Sequence, residues 1–120
     1  MNNRIVAAAF AATLLSSGGA FAHAYPQTES PAKGATVKTA PRALWIEFDD
    51  ELEPHFTGVT VTDSMGRRMD DGKAKVSATD SHHLSVGLKP LQPGKYTVTW
   101  HATDTDTHKT HGTYSFTVAP

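Results

Sequence analysis

A cluster of carboxylate and imidazole side chains near the end of the sequence has the residue types of a metal site. The segment DTDTHKTHG spans residues 104–112 and places Asp106 two residues before His108. On an extended backbone this spacing directs both side chains to the same side. The same segment is also compatible with a polar hairpin loop, in which Asp and Thr side chains accept hydrogen bonds from turn amides. Taken alone, the segment does not decide between these two interpretations.

A third histidine, His23, directly follows a segment with the features of a secretory signal peptide. The sequence begins with a short positive region containing Arg4, continues with an apolar run from residue 5 to residue 15, and reaches Ala-Phe-Ala at residues 20–22. Cleavage after Ala22 makes His23 the first residue of the mature protein. Its free amine and its ring nitrogen are then both available to one ion. The alternative is that signal peptidase tolerates histidine at this position and that the residue has no function.

The donor set of one amine, two imidazoles and a carboxylate is rich in nitrogen and suits tetragonal Cu(II). An α-amine has an ordinary pKa of about 7.7–8.0, so a metal ion can displace its proton near neutral pH. Zn(II) accepts the same donors, although the Irving–Williams order favours Cu(II) at nitrogen and oxygen sites. The sequence contains no cysteine, which excludes thiolate metal sites and thiol redox chemistry.

Length and charge narrow the class of protein further. We expect residues 1–22 to be removed, leaving residues 23–120 as a single domain of 98 residues. Only Arg4 is lost among the charged residues, so ten Lys and Arg remain against twelve Asp and Glu. This mild, mixed charge is not typical of a protein that binds nucleic acid or an anionic membrane. We expect an exported, soluble monomer.

Alternation of apolar and polar residues with a period of two predicts short β-strands that must position these side chains. Gly and Pro residues separate the runs, and helical periodicity is weak. We predict an all-β, antiparallel Greek-key β-sandwich of about seven strands, cupredoxin-like or immunoglobulin-like. Segment 63–75 is assigned no role. The residues predicted to face the core are Leu44, Ile46, Phe48, Val59, Val61, Leu84, Val86, Leu88, Tyr96, Val98, Trp100, Tyr114, Phe116 and Val118.

Three segments of the chain together resemble the CopC family of periplasmic copper-binding proteins. The mature start HAYPQTESPAKGATVKTAP resembles the family's opening, although Glu29 replaces the usual small residue. The middle segment FDDELEPHFTGVTVTD and the final segment TVTWHATDTDTHKTHGTYSFTV are also similar to the family's corresponding segments. The resemblance covers essentially all of residues 23–120.

The resemblance implies one Cu(II) per chain, bound by the amine and ring of His23, by Asp106 and by His108. Asp104 is the alternative carboxylate, and His111 is a possible accessory ligand. The resemblance further implies that Gly112 lets the chain turn into the last strand. It also implies that Trp100, which the alternation places in the core, lies close to the metal.

Some members of the family carry a second, Cu(I) site built from clustered methionines and a histidine. This chain retains Met65 and Met69 after cleavage and lacks a Met-rich cluster. A Cu(I) site formed by these methionines and His55 is therefore a minor alternative, and we do not expect a second copper site. We assign no function to His82, His83 or His101.

The resemblance implies a periplasmic protein that sequesters or delivers Cu(II) in copper resistance or homeostasis, and not an enzyme. It implies a copper transporter of the CopD type in the inner membrane as partner. One alternative is a small copper oxygenase acting on a glycan, which also binds copper through an N-terminal histidine. Another is a sandwich module that binds no metal and serves in protein interactions.

Overall fold

The computed structural model describes residues 23–120, which form two β-sheets on either side of one apolar core. The proposed signal peptide, residues 1–22, lies outside the described residues. Sheet I contains the strands in the order β1-β3-β6-β5, and sheet II contains β2-β8-β7-β4. The strands are β1 (Pro26–Ser30), β2 (Thr36–Val37), β3 (Ala43–Phe48), β4 (Gly58–Thr62), β5 (Lys75–Val76), β6 (His83–Gly87), β7 (Gly94–Thr103) and β8 (Lys109–Val118), with a 3-10 turn at Pro54–Phe56.

The predicted all-β sandwich is confirmed. The described residues contain eight strands, two of which have only two residues. One pair departs from the antiparallel prediction: β2 runs parallel to the end of β8. The chain reaches that edge by crossing from β1 in sheet I to sheet II, which aligns it with β8. The connections from β3 to β4 and from β6 to β7 also cross between the sheets, as in Greek-key sandwiches.

The core lies between the sheets and is filled by the residues whose alternation predicted it. Leu44 and Ile46 of sheet I and Val61 and Val98 of sheet II are completely buried. Each such side chain contributes roughly 1.5–3 kcal/mol relative to an exposed one. Leu88 is only partly buried, because it lies beyond the end of β6. Within residues 23–120 we find no helix that is long and apolar enough to cross a membrane.

Trp100 links the core to the strands that carry the candidate site. Its ring meets that of Phe48 edge to face, with 5.4 Å between the ring centroids, so the contact spans the two sheets. On β8, Gly112 lies opposite Trp100, and a Cβ atom at Gly112 would be 2.7 Å from the indole ring. The prediction that Gly112 turns the chain into the last strand is therefore wrong, since β8 already begins at Lys109. Glycine is required there because the indole needs the space.

Segment 63–75, which had no predicted role, joins the two sheets at one side through Asp70. The Asp70 carboxylate accepts a hydrogen bond from the Val61 amide of edge strand β4, at 2.9 Å. Its backbone forms a bridge with Leu88, just after β6. Arg68 donates two further hydrogen bonds to the same carboxylate, at 2.8 and 2.6 Å. This segment thus connects an edge of sheet II to sheet I.

Candidate metal centre

The loop between β7 and β8 is a tight turn that contains His108. The Asp104 amide donates a hydrogen bond to the His108 carbonyl at 3.0 Å, and the Thr107 amide donates to the Asp104 carbonyl at 3.1 Å. Thr107 adopts the left-handed conformation, with φ at 70°, which is uncommon for a residue with a branched side chain. The turn holds His108 at a fixed position beside the end of β7.

The Asp104 carboxylate organises this turn from within. It is 1% exposed, and its Oδ1 accepts hydrogen bonds from the amides of Asp106, at 2.8 Å, and His108, at 2.9 Å. Its Oδ2 lies 3.0 Å from Nδ1 of the His108 ring. Burial alone would raise the pKa of Asp104, but the hydrogen bonds from the His108 amide and ring and the Asp106 amide outweigh it and lower the pKa. Asp104 is therefore ionised near neutral pH.

The ionised state of Asp104 determines which nitrogen of His108 is available to a metal. An ionised carboxylate only accepts hydrogen bonds, so Nδ1 of His108 must carry the proton. In the neutral ring the other nitrogen, Nε2, is then the one with a lone pair for a metal ion. Because 43% of the His108 side chain is exposed, an ion can reach it from solvent. A carboxylate that orients a histidine in this way is a common feature of metal sites.

His23, at the other end of the described chain, lies next to His108. Its ring centroid lies 4.7 Å from that of His108, and the two ring planes are nearly perpendicular at 84°. One donor atom from each of His23, Asp104 and His108 can be chosen so that all three lie within 4.8 Å of one another. These separations can close on a single ion by small side-chain rotations.

The residues after His23 attach the start of the described chain to both sheets. Thr110 of β8 donates a hydrogen bond from Oγ1 to the carbonyl of buried Ala24, at 2.6 Å. The Tyr25 amide donates to the Asp49 carboxylate at 2.8 Å, and the Asp49 amide donates to the Tyr25 carbonyl at 2.9 Å. The two residues that follow His23 are thus held by hydrogen bonds, Ala24 to Thr110 and Tyr25 to Asp49.

The structure brings together some of the residues that the sequence singled out. His23 and His108 lie side by side, and the carboxylate grouped with them is Asp104, the alternative, rather than Asp106. Asp106 is exposed at the tip of the turn and donates its amide hydrogen bond to Asp104. His111 is exposed on β8, opposite His101 of β7, and is not grouped with His23.

The three residues of the minor Cu(I) alternative are not brought together. His55 lies in the 3-10 turn before β4, whereas Met65 lies in the turn after it and is 79% exposed. A five-residue strand separates them, which is about 13–17 Å of chain. Met69 packs against the core.

Sequence reasoning missed how Asp104 positions His108 and how Thr110 anchors Ala24. The spacing of four residues between Asp104 and His108 was visible, but it indicates this contact only once a tight turn is known. The bond between Thr110 and Ala24 joins residues far apart in sequence, so no local pattern indicated it.

Comparison with known proteins gives consistent results over nearly the whole of the described sandwich. The profile of the CopC domain matches residues 27–119. Protein YobA of Escherichia coli K12 is 36% identical over 113 residues, which cover 93% of this chain and 91% of YobA. Copper resistance protein C of Xanthomonas campestris pv. juglandis is 34% identical over 113 residues, covering 89% of this chain and 88% of that protein. The crystal structure of CopC from Methylosinus trichosporium OB3b matches with a TM-score of 0.75 at 27% identity, covering 82% of this chain and 95% of that one.

Proposed function

The chain belongs to the CopC family, and we propose that it is a periplasmic protein that binds one Cu(II) ion and sequesters or delivers it in copper resistance or homeostasis. The observation that carries the proposal is the approach of His23 to His108, with 4.7 Å between ring centroids. Two imidazoles that converge from opposite ends of the described chain, beside a buried carboxylate, form the nitrogen-rich part of a Cu(II) site.

We assign the ligands as the amine and ring of His23, Nε2 of His108 and the carboxylate of Asp106. Asp104 is assigned a positioning role, because its oxygens already accept hydrogen bonds from two amides and from the His108 ring. Asp106 is exposed and free to turn toward an ion bound by the two histidines. The amine becomes a ligand only after cleavage following Ala22, which makes export part of the same proposal.

A carrier role agrees better with this donor set than a catalytic one. The carboxylate in this set favours Cu(II) over Cu(I), so it opposes the redox cycling that an oxygenase needs. An ion bound by the partly exposed His108 would lie at the surface, where a second protein can receive it. The proposed recipient or source is a copper transporter of the CopD type in the inner membrane.

The test is a Cu(II) titration of the protein beginning at His23, followed by electron paramagnetic resonance. We expect one equivalent to bind with a tetragonal, nitrogen-rich spectrum. His23→Ala and His108→Ala should each lower the affinity, as should one extra residue placed before His23. His101→Ala is the matched control, because His101 is an exposed histidine of β7 outside the three-residue group. Binding that is equally tight with the extended N-terminus would contradict the proposed site.

A further inference from the structure

A second group of potential metal ligands lies on the outer face of sheet I. It consists of Glu47 on β3, Asp80 in the turn before β6, and His83 at the start of β6. One donor atom from each lies within 4.8 Å of the others, as in the first group. The two groups share no residue. The segment around Leu52 lies between them, since the Leu52 amide donates to the Ser81 carbonyl while Leu52 also bridges to Asp104.

Strand pairing and a turn hold the three side chains in place. Glu47 and His83 are directly opposite each other on the paired strands β3 and β6. The Glu47 Oε2 atom lies 2.8 Å from Nδ1 of His83. Asp80 is fixed by its own turn, because its Oδ1 accepts a hydrogen bond from the His82 amide at 3.0 Å and its carbonyl accepts one from the His83 amide at 3.1 Å. These two hydrogen bonds hold the Asp80 carboxylate beside Glu47 and His83.

The imidazole of His83 is also restrained from a second direction. Trp45, two residues before Glu47 on the same face of β3, stacks on it with 5.5 Å between ring centroids and 27° between ring planes. About 31% of the His83 side chain and 29% of the Glu47 side chain are exposed, so the group is open to solvent but not freely mobile.

Two carboxylates lie close together in this group, an arrangement that favours a cation. One carboxylate oxygen of Asp80 lies within 4.8 Å of one of Glu47. Two neighbouring carboxylates repel each other unless a proton or a cation lies between them.

We propose that Glu47, Asp80 and His83 form a second metal site, which takes a divalent first-row transition ion such as Zn(II). One imidazole nitrogen and two carboxylate oxygens are established ligands of this ion, at 2.0–2.2 Å, and water can fill a fourth position. Tetrahedral donors at these distances are about 3.4 Å apart, so the present separations need only small side-chain rotations. The absence of a sulfur donor disfavours Cu(I). The inference does not depend on the function proposed for His23 and His108.

A second histidine–glutamate pair can serve as a control, because it makes the same contact as His83 and Glu47 but has no third ligand beside it among the described residues. His55 and Glu53 make the same contact, with 2.8 Å between Nδ1 and Oε1. Among residues 23–120 no further carboxylate or imidazole is grouped with them. This pair separates the effect of a histidine–glutamate contact from that of the complete three-residue group.

The test uses the double variant His23→Ala/His108→Ala, which removes the first candidate site, and titrates it with Zn(II) by calorimetry. We expect one equivalent to bind. Adding His83→Ala should weaken binding at least tenfold. Loss of a residue that only hydrogen-bonds to a metal ligand already lowers affinity about 10–100-fold, and His83 is proposed as a ligand itself. Adding Asp80→Asn should weaken it similarly, and because asparagine can still accept the His82 hydrogen bond, this variant keeps the turn. Adding His55→Ala should change nothing.

A second measurement reports on the site directly. In a variant that also carries Trp100→Phe, Trp45 is the remaining tryptophan, and Cu(II) used as a paramagnetic probe should quench its fluorescence if an ion binds beside His83. The proposal is overturned if Zn(II) does not bind to the double variant. It is also overturned if Asp80→Asn and His83→Ala leave the affinity unchanged, or if His55→Ala weakens binding as much as His83→Ala.

Discussion

At the scale of single residues, the proton on His108 controls the candidate copper centre. Asp104 fixes that proton on Nδ1 because its buried carboxylate is ionised and can only accept a hydrogen bond. The exposed neighbour Asp106 has the same charge but a different position, since it lies outside the group formed by the two histidines and Asp104. We therefore propose different roles for these two carboxylates, with Asp104 positioning a ligand and Asp106 binding the ion.

Replacing each carboxylate by its amide should distinguish these roles. In Asp104→Asn the side-chain amide faces Nδ1 of His108 and donates to it, which moves the ring proton to Nε2 and blocks the metal. We expect this variant to bind Cu(II) about 10–100-fold more weakly, and to give the original paramagnetic resonance spectrum once saturated. Asp106→Asn should instead change the spectrum at saturation, because a ligand is lost. Isothermal titration and spectra of both variants provide the measurement.

The opposite pattern would exchange the two assignments. If Asp104→Asn changes the spectrum of the saturated protein and Asp106→Asn does not, Asp104 is itself the ligand. If neither substitution affects affinity or spectrum, the carboxylates have no part in binding.

At the scale of secondary structure, β8 both carries the turn with His108 and holds the start of the described chain. Thr110 is buried and donates its hydroxyl hydrogen to the Ala24 carbonyl, so the strand fixes the residue next to His23. Two residues later, Gly112 makes room for the Trp100 indole. These two positions on one strand connect the site to the core.

Thr110→Val should loosen the residues beside His23 while keeping the shape of the side chain. The Ala24 carbonyl loses its partner in a buried position, which should cost about 1–3 kcal/mol of unfolding free energy. We expect Cu(II) affinity to fall as well, because His23 is less well positioned. Urea unfolding and copper titration test both effects, with Thr113→Val, at an exposed position of β8, as the control. Unchanged copper affinity in Thr110→Val would show that this anchor does not position His23.

Gly112→Ala should destabilise the protein, because the added methyl group would lie 2.7 Å from a buried ring that cannot move freely. The expected loss is about 1–3 kcal/mol, as for other overpacked cores. Gly87→Ala is the matched control: its methyl group would meet the exposed side chain of Asp71, which can rotate away. Thermal unfolding of the two variants gives the comparison, and equal losses would mean that the Trp100 contact is not the cause.

The sequence was sufficient to predict features that repeat locally and insufficient for contacts between distant segments. The alternation of Leu44, Ile46 and Phe48 predicted a strand with one buried face, because the side-chain period of a strand is two. Nothing local indicated that β3 pairs with β6 in the register that places Glu47 opposite His83. The proximity of His23 and His108 was expected from the family resemblance and not from the residues alone. The preference for Asp104 over Asp106 beside them depends on the conformation of the turn.

At the scale of the whole molecule, the sandwich depends on contacts between the sheets as well as on its core. Asp70 is one such contact, because its completely buried carboxylate bonds to the Val61 amide of β4 while its backbone bridges to Leu88 beyond β6. Hydrogen bonds from Arg68, followed by those from the Val61 and Gly72 amides, outweigh the effect of burial and lower the pKa of Asp70 to about 2. Ionised Asp70 therefore stabilises the folded state.

The stabilisation by Asp70 should disappear at acidic pH, and the direction follows from its lowered pKa. Above its ordinary pKa of 3.8 the carboxylate is charged in both the folded and the unfolded protein, so the full stabilisation is present. Between about pH 4 and pH 2 the unfolded chain takes up the proton first, and the contribution is lost.

We expect Asp70→Asn to lower the unfolding free energy at pH 7 by about 1.5–3 kcal/mol, the range for hydrogen bonds to a charged group. Near pH 2 the unfolding free energies of the variant and of the unsubstituted protein should become similar. Urea unfolding at several pH values, with a chelator present, measures this difference. Asp71→Asn serves as the control, since that exposed carboxylate accepts a hydrogen bond from the Lys73 amide. A difference between Asp70→Asn and the unsubstituted protein that stays constant from pH 5 to pH 2 would mean that the charge of Asp70 does not hold the sheets together.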